Sequence, residues 1–265
     1  IDHPGTPLQT LGAGVVRAVD LLPGRPLGES LRLRVLRDPE HYLVALGAVL
    51  VFVCSAALYA AGYTVWNATG SLPCALVFQA TPFLSWPAVG SLHRVAPEPL
   101  LLALGLCLGA GVVAAPKSAD SQRWPLILGL LLGVGIATKV LFAALGLVPL
   151  VALTKRRARV RFALAAAFSL AFSLLPIWSE LPRLVRWLVN LGLHAGPHGR
   201  GAASIADWPA LVSSMPSLLR QEPLMFVAAG ASLLFCALSA RSRPPDARPL
   251  IRTLLAIVGA QAMLV

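Results

Sequence analysis

The chain has 265 residues, of which 57% are hydrophobic and 12% charged, and its formal net charge at pH 7 is +11. Soluble domains carry about twice that share of charged residues, so the composition excludes an ordinary soluble domain. Several apolar runs approach the ~20 residues that a membrane-spanning helix needs. The arginines lie mostly between those runs, which is typical of membrane topology and not of nucleic-acid binding. The sequence therefore predicts an all-α, polytopic helical membrane protein with no nucleic-acid partner.

Two polar segments interrupt the apolar runs. Residues 1–40 are rich in proline and glycine and contain an amphipathic stretch near residues 8–22, which predicts an outer loop with an interfacial helix. Residues 179–222 predict a second outer loop with an amphipathic helix in its first half. Transmembrane helices are expected within residues 41–178 and 223–265, at residues 41–65, 72–89, 98–115, 124–138, 140–153, 162–178, 223–240 and 250–265. The sequence starts at Ile1 and stops inside an apolar run, which predicts a piece of a longer protein.

The apolar stretch at residues 124–153 determines the predicted orientation. It contains one charged residue, Lys139, and a basic run follows it at residues 155–161. A helix of these 30 residues would be about 45 Å long, against a hydrocarbon core of about 30 Å. Two short segments meeting near Lys139 are therefore favoured over one steeply tilted span. The alternative, a single span, would place every earlier segment on the opposite side of the membrane. Since basic runs mark the cytoplasmic side, Lys139 and both polar segments are expected outside.

Three arginines disagree with this orientation. Arg32, Arg34 and Arg37 lie just before the first span, on the side predicted to be outside. We therefore expect them to bind an anionic group.

Two outer segments carry carboxylates that could serve a substrate. Asp2 and His3 precede prolines that would hold them just above the membrane. An acidic residue beside a histidine can act as a base, bind a metal or orient a hydroxyl, and the alternative is a polar loop end. Glu98 precedes Pro99 at the outer end of a span, where a carboxylate could meet a substrate or simply stabilise the helix N-terminus.

Four further side chains are candidates for binding an anion. His194, His198 and Arg200 lie in a glycine-rich part of the second outer loop, and glycines let backbone N–H groups approach an anion closely. Arginine matches phosphate geometry, so contact with a phosphate or sugar is one prediction. A flexible loop and zinc binding by the two histidines are the alternatives. Lys139 either extends its ammonium to the outer interface or neutralises a lipid-linked phosphate.

These pieces, in this order, resemble the GT-C glycosyltransferases, specifically the branch with protein O-mannosyltransferases and the lipid A aminoarabinose transferase, glycosyltransferase family 39. DHPGTPL at residues 2–8 looks like the D-x-HPPL segment of the first outer loop, and LRDP at residues 36–39 like an LRLPS-type helix start. Residues 94–100 look like the stretch in which a carboxylate opens a later span. The most specific likeness is GVGIATK at residues 133–139, which with Pro149 resembles G-x-G-L-A-x-L-T-K…P.

The resemblance covers residues 1–161 by motif and the rest by topology. It implies a GT-C-like transmembrane core in a bacterial inner membrane, with the site facing the periplasm or exterior. In that family a sugar moves from a polyprenyl-phosphate donor to an acceptor on the non-cytoplasmic face. The family's principal acid, a base or metal partner, lies upstream of the HPPL-like segment and so before Ile1. The inserted Gly5 and Thr6 also depart from the family pattern.

We therefore expect an inverting glycosyltransferase that uses a polyprenyl-phosphate sugar donor and a lipid, glycan or protein acceptor. The candidate catalytic residues are Asp2, His3 and Glu98, and the candidates for binding the donor phosphate are Lys139, Arg200, His194 and His198. Whether a divalent metal takes part is left open. The alternative hypotheses are a transporter or flippase of a lipid-linked sugar and a non-catalytic assembly partner.

Overall fold

A computed structural model describes residues 5–22, 30–92, 94–115, 122–193 and 208–221, with a few positions between 223 and 231. These residues form helices and short connections, and none of them belongs to a strand. The helices are α1 (Thr6–Asp20), α2 (Leu31–Arg37), α3 (Pro39–Thr69), α4 (Leu72–Ala80), α5 (Trp86–Ser91), α6 (Pro97–Ala114), α7 (Arg123–Thr138), α8 (Leu147–Ala152), α9 (Arg156–Leu174), α10 (Leu181–Leu193) and α11 (Trp208–Gln221). Three 3-10 segments, Thr81–Leu84, Val140–Gly146 and Leu175–Glu180, join neighbouring helices. The all-α class is therefore confirmed.

Three apolar helices in the described part are long enough to cross a membrane. They are Pro39–Thr69, Pro97–Ala114 and the nearly continuous Arg156–Asn190. The apolar segments Leu72–Leu84, Arg123–Thr138 and Val140–Ala152 are shorter. Membrane association is thus consistent with the described helices, while the full set of predicted spans remains a prediction.

Local sequence signals fix the limits of α3. Pro39 occupies the first turn, where a missing N–H is tolerated, and the Asp38 side chain accepts a hydrogen bond from the His41 backbone N–H at 3.3 Å. Gly70 ends the helix in the left-handed conformation with φ 69°. The helix is therefore longer at both ends than the span predicted at residues 41–65.

The second predicted span, residues 72–89, is not one helix. Pro82 and Pro87 lie where the chain changes from α4 to a 3-10 segment and then to α5. Proline lacks a backbone N–H and its ring clashes with the preceding turn, so a continuous helix cannot pass through these positions. The sequence predicted that these prolines break the regularity of the segment, and the structure shows the break; whether residues 72–89 cross the membrane remains a prediction.

The chain reverses at Lys139, as the length argument predicted. Helix α7 ends at Thr138, and Lys139 is extended with φ −153° and ψ 123°. The following 3-10 segment returns along α7, so that the Phe142 ring lies on Gly135. Residues 124–153 are therefore not one continuous helix.

Two polar segments contain more helix than predicted. The amphipathic stretches near residues 8–22 and in the first half of 179–222 are helices α1 and α10, as expected. Helix α2 and helix α11 were not predicted. Helix α11 continues through Pro216.

Glycines set the distance between α7 and α9. A Cβ on Gly133 would lie 2.7 Å from the Leu170 backbone nitrogen, so the two backbones touch. Ser169 adds a hydrogen bond from its hydroxyl to the Leu130 carbonyl oxygen at 2.9 Å. Gly133 also faces the Ala166 carbonyl oxygen, and Gly129 faces the Phe162 carbonyl oxygen one turn earlier on both helices. The contacts advance in the same direction along both helices, so α7 and α9 are parallel.

Helix α6 lies between this pair and α3. Gly111, near its C-terminus, packs on Leu128 of α7, so α6 and α7 are antiparallel. The Cys54 thiol of α3 donates to the Pro99 carbonyl oxygen at 3.1 Å, and Ala57 packs with Ala103, so α3 and α6 are parallel. One end of the bundle therefore carries the start of α6 and Lys139, and we call it the Lys139 end. The opposite end, the basic end, carries Arg123 and the run at residues 155–161.

Candidate functional site

Two of the predicted site residues form an ion pair. The Lys139 ammonium nitrogen lies 3.3 Å from the Glu98 carboxylate oxygen Oε1. The Lys139 side chain is 28% exposed and that of Glu98 is 44% exposed. A catalytic candidate and a phosphate-binding candidate, named separately from the sequence, therefore belong to one site.

The antiparallel packing of α6 and α7 brings these residues together. Glu98 lies in the first turn of α6, where Ala96 supplies no side-chain cap. Lys139 follows the last residue of α7. The positive end of one helix dipole and the negative end of the other thus stabilise the two charges, which is a sufficient structural account of the pair.

The pair lies level with the middle of α3. Cys54 contacts Pro99, and the 15 residues of α3 before it extend roughly 22 Å further at the Lys139 end. Helix α1 packs there on α3, with Gly12 facing Leu46, and it also contacts α7 and α9. The first half of α3, with α1 packed on it, therefore extends past the pair at the Lys139 end.

An apolar cavity of about 120 Å³ lies on the α3 side of α6. It exists because the proline-broken chain from α4 to α5 does not fill the space against α3 and α6. Leu102 and Leu106 of α6 line the cavity, and Glu98 is four residues before Leu102 on the same helix face. Other lining residues are Cys54, Ser55, Leu58 and Phe83.

The other predicted site residues lie outside the described residues: Asp2, His3, His194, His198 and Arg200. The structure therefore gives no distance between any of them and the pair. Within the described part, no group of three or more His, Cys, Asp or Glu side chains could hold a metal ion.

A second ion pair was missed by the sequence analysis. Arg34 Nη2 lies 2.7 Å from Asp20 Oδ2, and these side chains are only 17% and 18% exposed. Asp20, a residue of the same chain, thus supplies an anionic group for Arg34, and anion binding by Arg32 and Arg37 remains a prediction. Fourteen residues separate the partners across two helices, and no local pattern indicates their contact.

No protein-family model, no curated protein and no solved structure matches this chain.

Proposed function

We propose that this chain is part of a membrane glycosyltransferase that moves a sugar from a polyprenyl-phosphate donor to an acceptor on the non-cytoplasmic face, with inversion. The observation that supports it is the ion pair of Glu98 and Lys139. It combines a carboxylate and a cation at the bundle end opposite the basic run. A reaction at a sugar phosphate needs both, one for the acceptor and one for the leaving group.

In the proposed reaction, Glu98 takes the proton from an acceptor hydroxyl or amine. The acceptor atom attacks the anomeric carbon from the side opposite the phosphate, and a new bond to the sugar forms. The bond between that carbon and the phosphate oxygen breaks, and the polyprenyl phosphate leaves with the electron pair. Lys139 stabilises the charge that develops on the leaving phosphate. Asp2, His3, His194, His198 and Arg200 remain candidates for further contacts from the outer loops.

A transfer assay tests this proposal. Membrane vesicles that contain the protein receive a polyprenyl-phosphate sugar labelled in the sugar, and the label is followed into the acceptor fraction. We expect Glu98→Gln to lower transfer at least about a hundredfold, because it removes the base. The matched control is Glu180→Gln, which removes an exposed carboxylate 4.0 Å from Arg183 and should leave transfer unchanged.

The same assay separates the alternative function. A flippase or transporter would move intact labelled donor across the vesicle membrane without cleaving it. Transport of intact donor, or full transfer activity in Glu98→Gln, would contradict the proposed function.

A further inference from the structure

Lys139 already has an anionic partner. Its ammonium lies 3.3 Å from Glu98 Oε1, so a phosphate that binds Lys139 must share it with this carboxylate or displace it. We propose that Glu98 occupies the anion site of Lys139 at rest, and that a lipid-linked phosphate displaces it and thereby releases the carboxylate. This inference rests on the proposed function. It adds that the Glu98 carboxylate and the donor phosphate compete for the Lys139 ammonium.

The geometry of the pair suits an exchange. A contact of 3.3 Å is long for a charge-assisted hydrogen bond, and both side chains keep part of their surface open. Ion pairs of this kind contribute little free energy, so a better partner can replace one of the two groups. A phosphate offers more acceptor oxygens and more charge than a carboxylate.

The less exposed pair of Asp20 and Arg34 is a contrasting case in the same molecule. Its contact is 2.7 Å, and each partner is less than one-fifth exposed. Separating it would leave a charge in a poorly solvated place, which is costly. That pair can therefore connect α1 to α2 permanently, whereas the Lys139 pair can open.

The start of α6 can accept an anion in place of Glu98. Ala96 provides no side-chain cap, so the residue before the helix does not neutralise its positive end. An anion that arrives at Lys139 is stabilised by the same helix dipole that stabilises Glu98. The carboxylate, once released, stays on the first turn of α6 and is free to turn toward the acceptor, on the side of the sugar opposite the phosphate. The base thus becomes available when the donor is present.

Equilibrium binding of farnesyl phosphate to the protein in lipid nanodiscs tests the exchange. Glu98→Gln removes the internal competitor, so we expect it to tighten binding about two- to fivefold. Lys139→Met removes the cation and should weaken binding about tenfold to a hundredfold. The double variant should behave like Lys139→Met, because the carboxylate has no ammonium left to occupy. Uncharged farnesol is the control ligand, and neither substitution should change its affinity.

The outcomes separate this inference from the proposed function. If Lys139→Met weakens binding but Glu98→Gln leaves it unchanged or weaker, the exchange is overturned and the donor site stands. If Lys139→Met leaves the affinity for farnesyl phosphate unchanged, both the exchange and the proposed donor site are overturned. Glu180→Gln, which removes a carboxylate outside the pair, should not tighten binding. If it tightens binding as Glu98→Gln does, the effect is one of net charge and the exchange is again overturned.

Discussion

Helix α6 has a different kind of neighbour on each of its two sides. Toward α7 and α9 the helices touch through glycines, and the buried cluster there includes Leu128, Phe142 and Val148. On the α3 side, prolines interrupt the segment from α4 to α5, and an apolar cavity remains between this segment, α3 and α6. Helices α7 and α9 pack against each other backbone to backbone, whereas α3 and α4 pack against each other through side chains.

The difference shows how the backbone of an ion pair can be positioned firmly while its two side chains stay free to exchange partners. Helix–helix association in lipid depends on close packing, because lipid tails are as apolar as the side chains they replace. The glycine-packed side fixes the end of α7 and so fixes the backbone of Lys139. The looser side leaves room beside the first turns of α6, where Glu98 lies. The same substitution should therefore have unequal effects on the two sides, which can be tested.

The largest effect is expected for Gly133→Ala. A Cβ at this position meets backbone atoms of α9, with the Leu170 nitrogen at 2.7 Å, and a backbone cannot rotate away. We expect a destabilisation of about 3 kcal/mol, the upper end for overpacking, measured by unfolding in a denaturing detergent and followed by circular dichroism.

Gly47→Ala is the matched control for this change. Gly47 is also inside a helix, but a Cβ there meets nothing within 4 Å. It should stabilise α3 by up to about 1 kcal/mol through helix propensity alone. Equal destabilisation by both substitutions would show that the contact with α9 does not hold the pair of helices together.

Much of this fold could be predicted from the sequence because it depends on local signals. The reversal at Lys139 follows from a length that exceeds the membrane thickness, and α1 and α10 follow from their amphipathic patterns. Pro73, Pro82 and Pro87 in the predicted span at residues 72–89 likewise indicated from the sequence that this segment is irregular. They did not indicate that the broken chain leaves a cavity, because a cavity depends on the shapes of three helices together.

The candidate site was only half predictable for the same reason. Glu98 and Lys139 were each named from their own surroundings, a helix start and a lone charge in an apolar run. Their contact spans 41 residues and depends on the antiparallel packing of α6 and α7. The pair of Asp20 and Arg34 likewise requires α1 and α2 to meet, which no periodicity encodes.

A smaller effect is expected when one methylene is added on each side of α6. Val148 is 4% exposed within the packed cluster, so Val148→Ile should destabilise the protein by about 1 kcal/mol through overpacking. Val89 lines the cavity, so Val89→Ile should add contacts and stabilise by a few tenths of a kcal/mol. The two unfolding midpoints should thus move in opposite directions, and a shift of the same sign would mean that the two sides are packed alike.

The smallest effect is expected for Gly62→Ala, although its new Cβ also meets other atoms. Those atoms belong to the Gln79 side chain, which lies across Gly62 and donates from Nε2 to the Leu58 carbonyl oxygen at 3.0 Å. Unlike the backbone at Gly133, this side chain can swing away. The lost interhelical hydrogen bond costs about 0.6 kcal/mol, and the better helix propensity of alanine offsets most of that. We therefore expect the free energy of unfolding in detergent to change by less than about 0.5 kcal/mol, because the two terms oppose each other.

In a Gln79→Ala background the contact between the new Cβ and the Gln79 side chain is absent, and Gly62→Ala should become stabilising by up to about 1 kcal/mol. If Gly62→Ala instead destabilises as strongly as Gly133→Ala, and Gln79→Ala does not relieve it, then α3 and α4 are in backbone contact and the contrast between the two sides of α6 is lost.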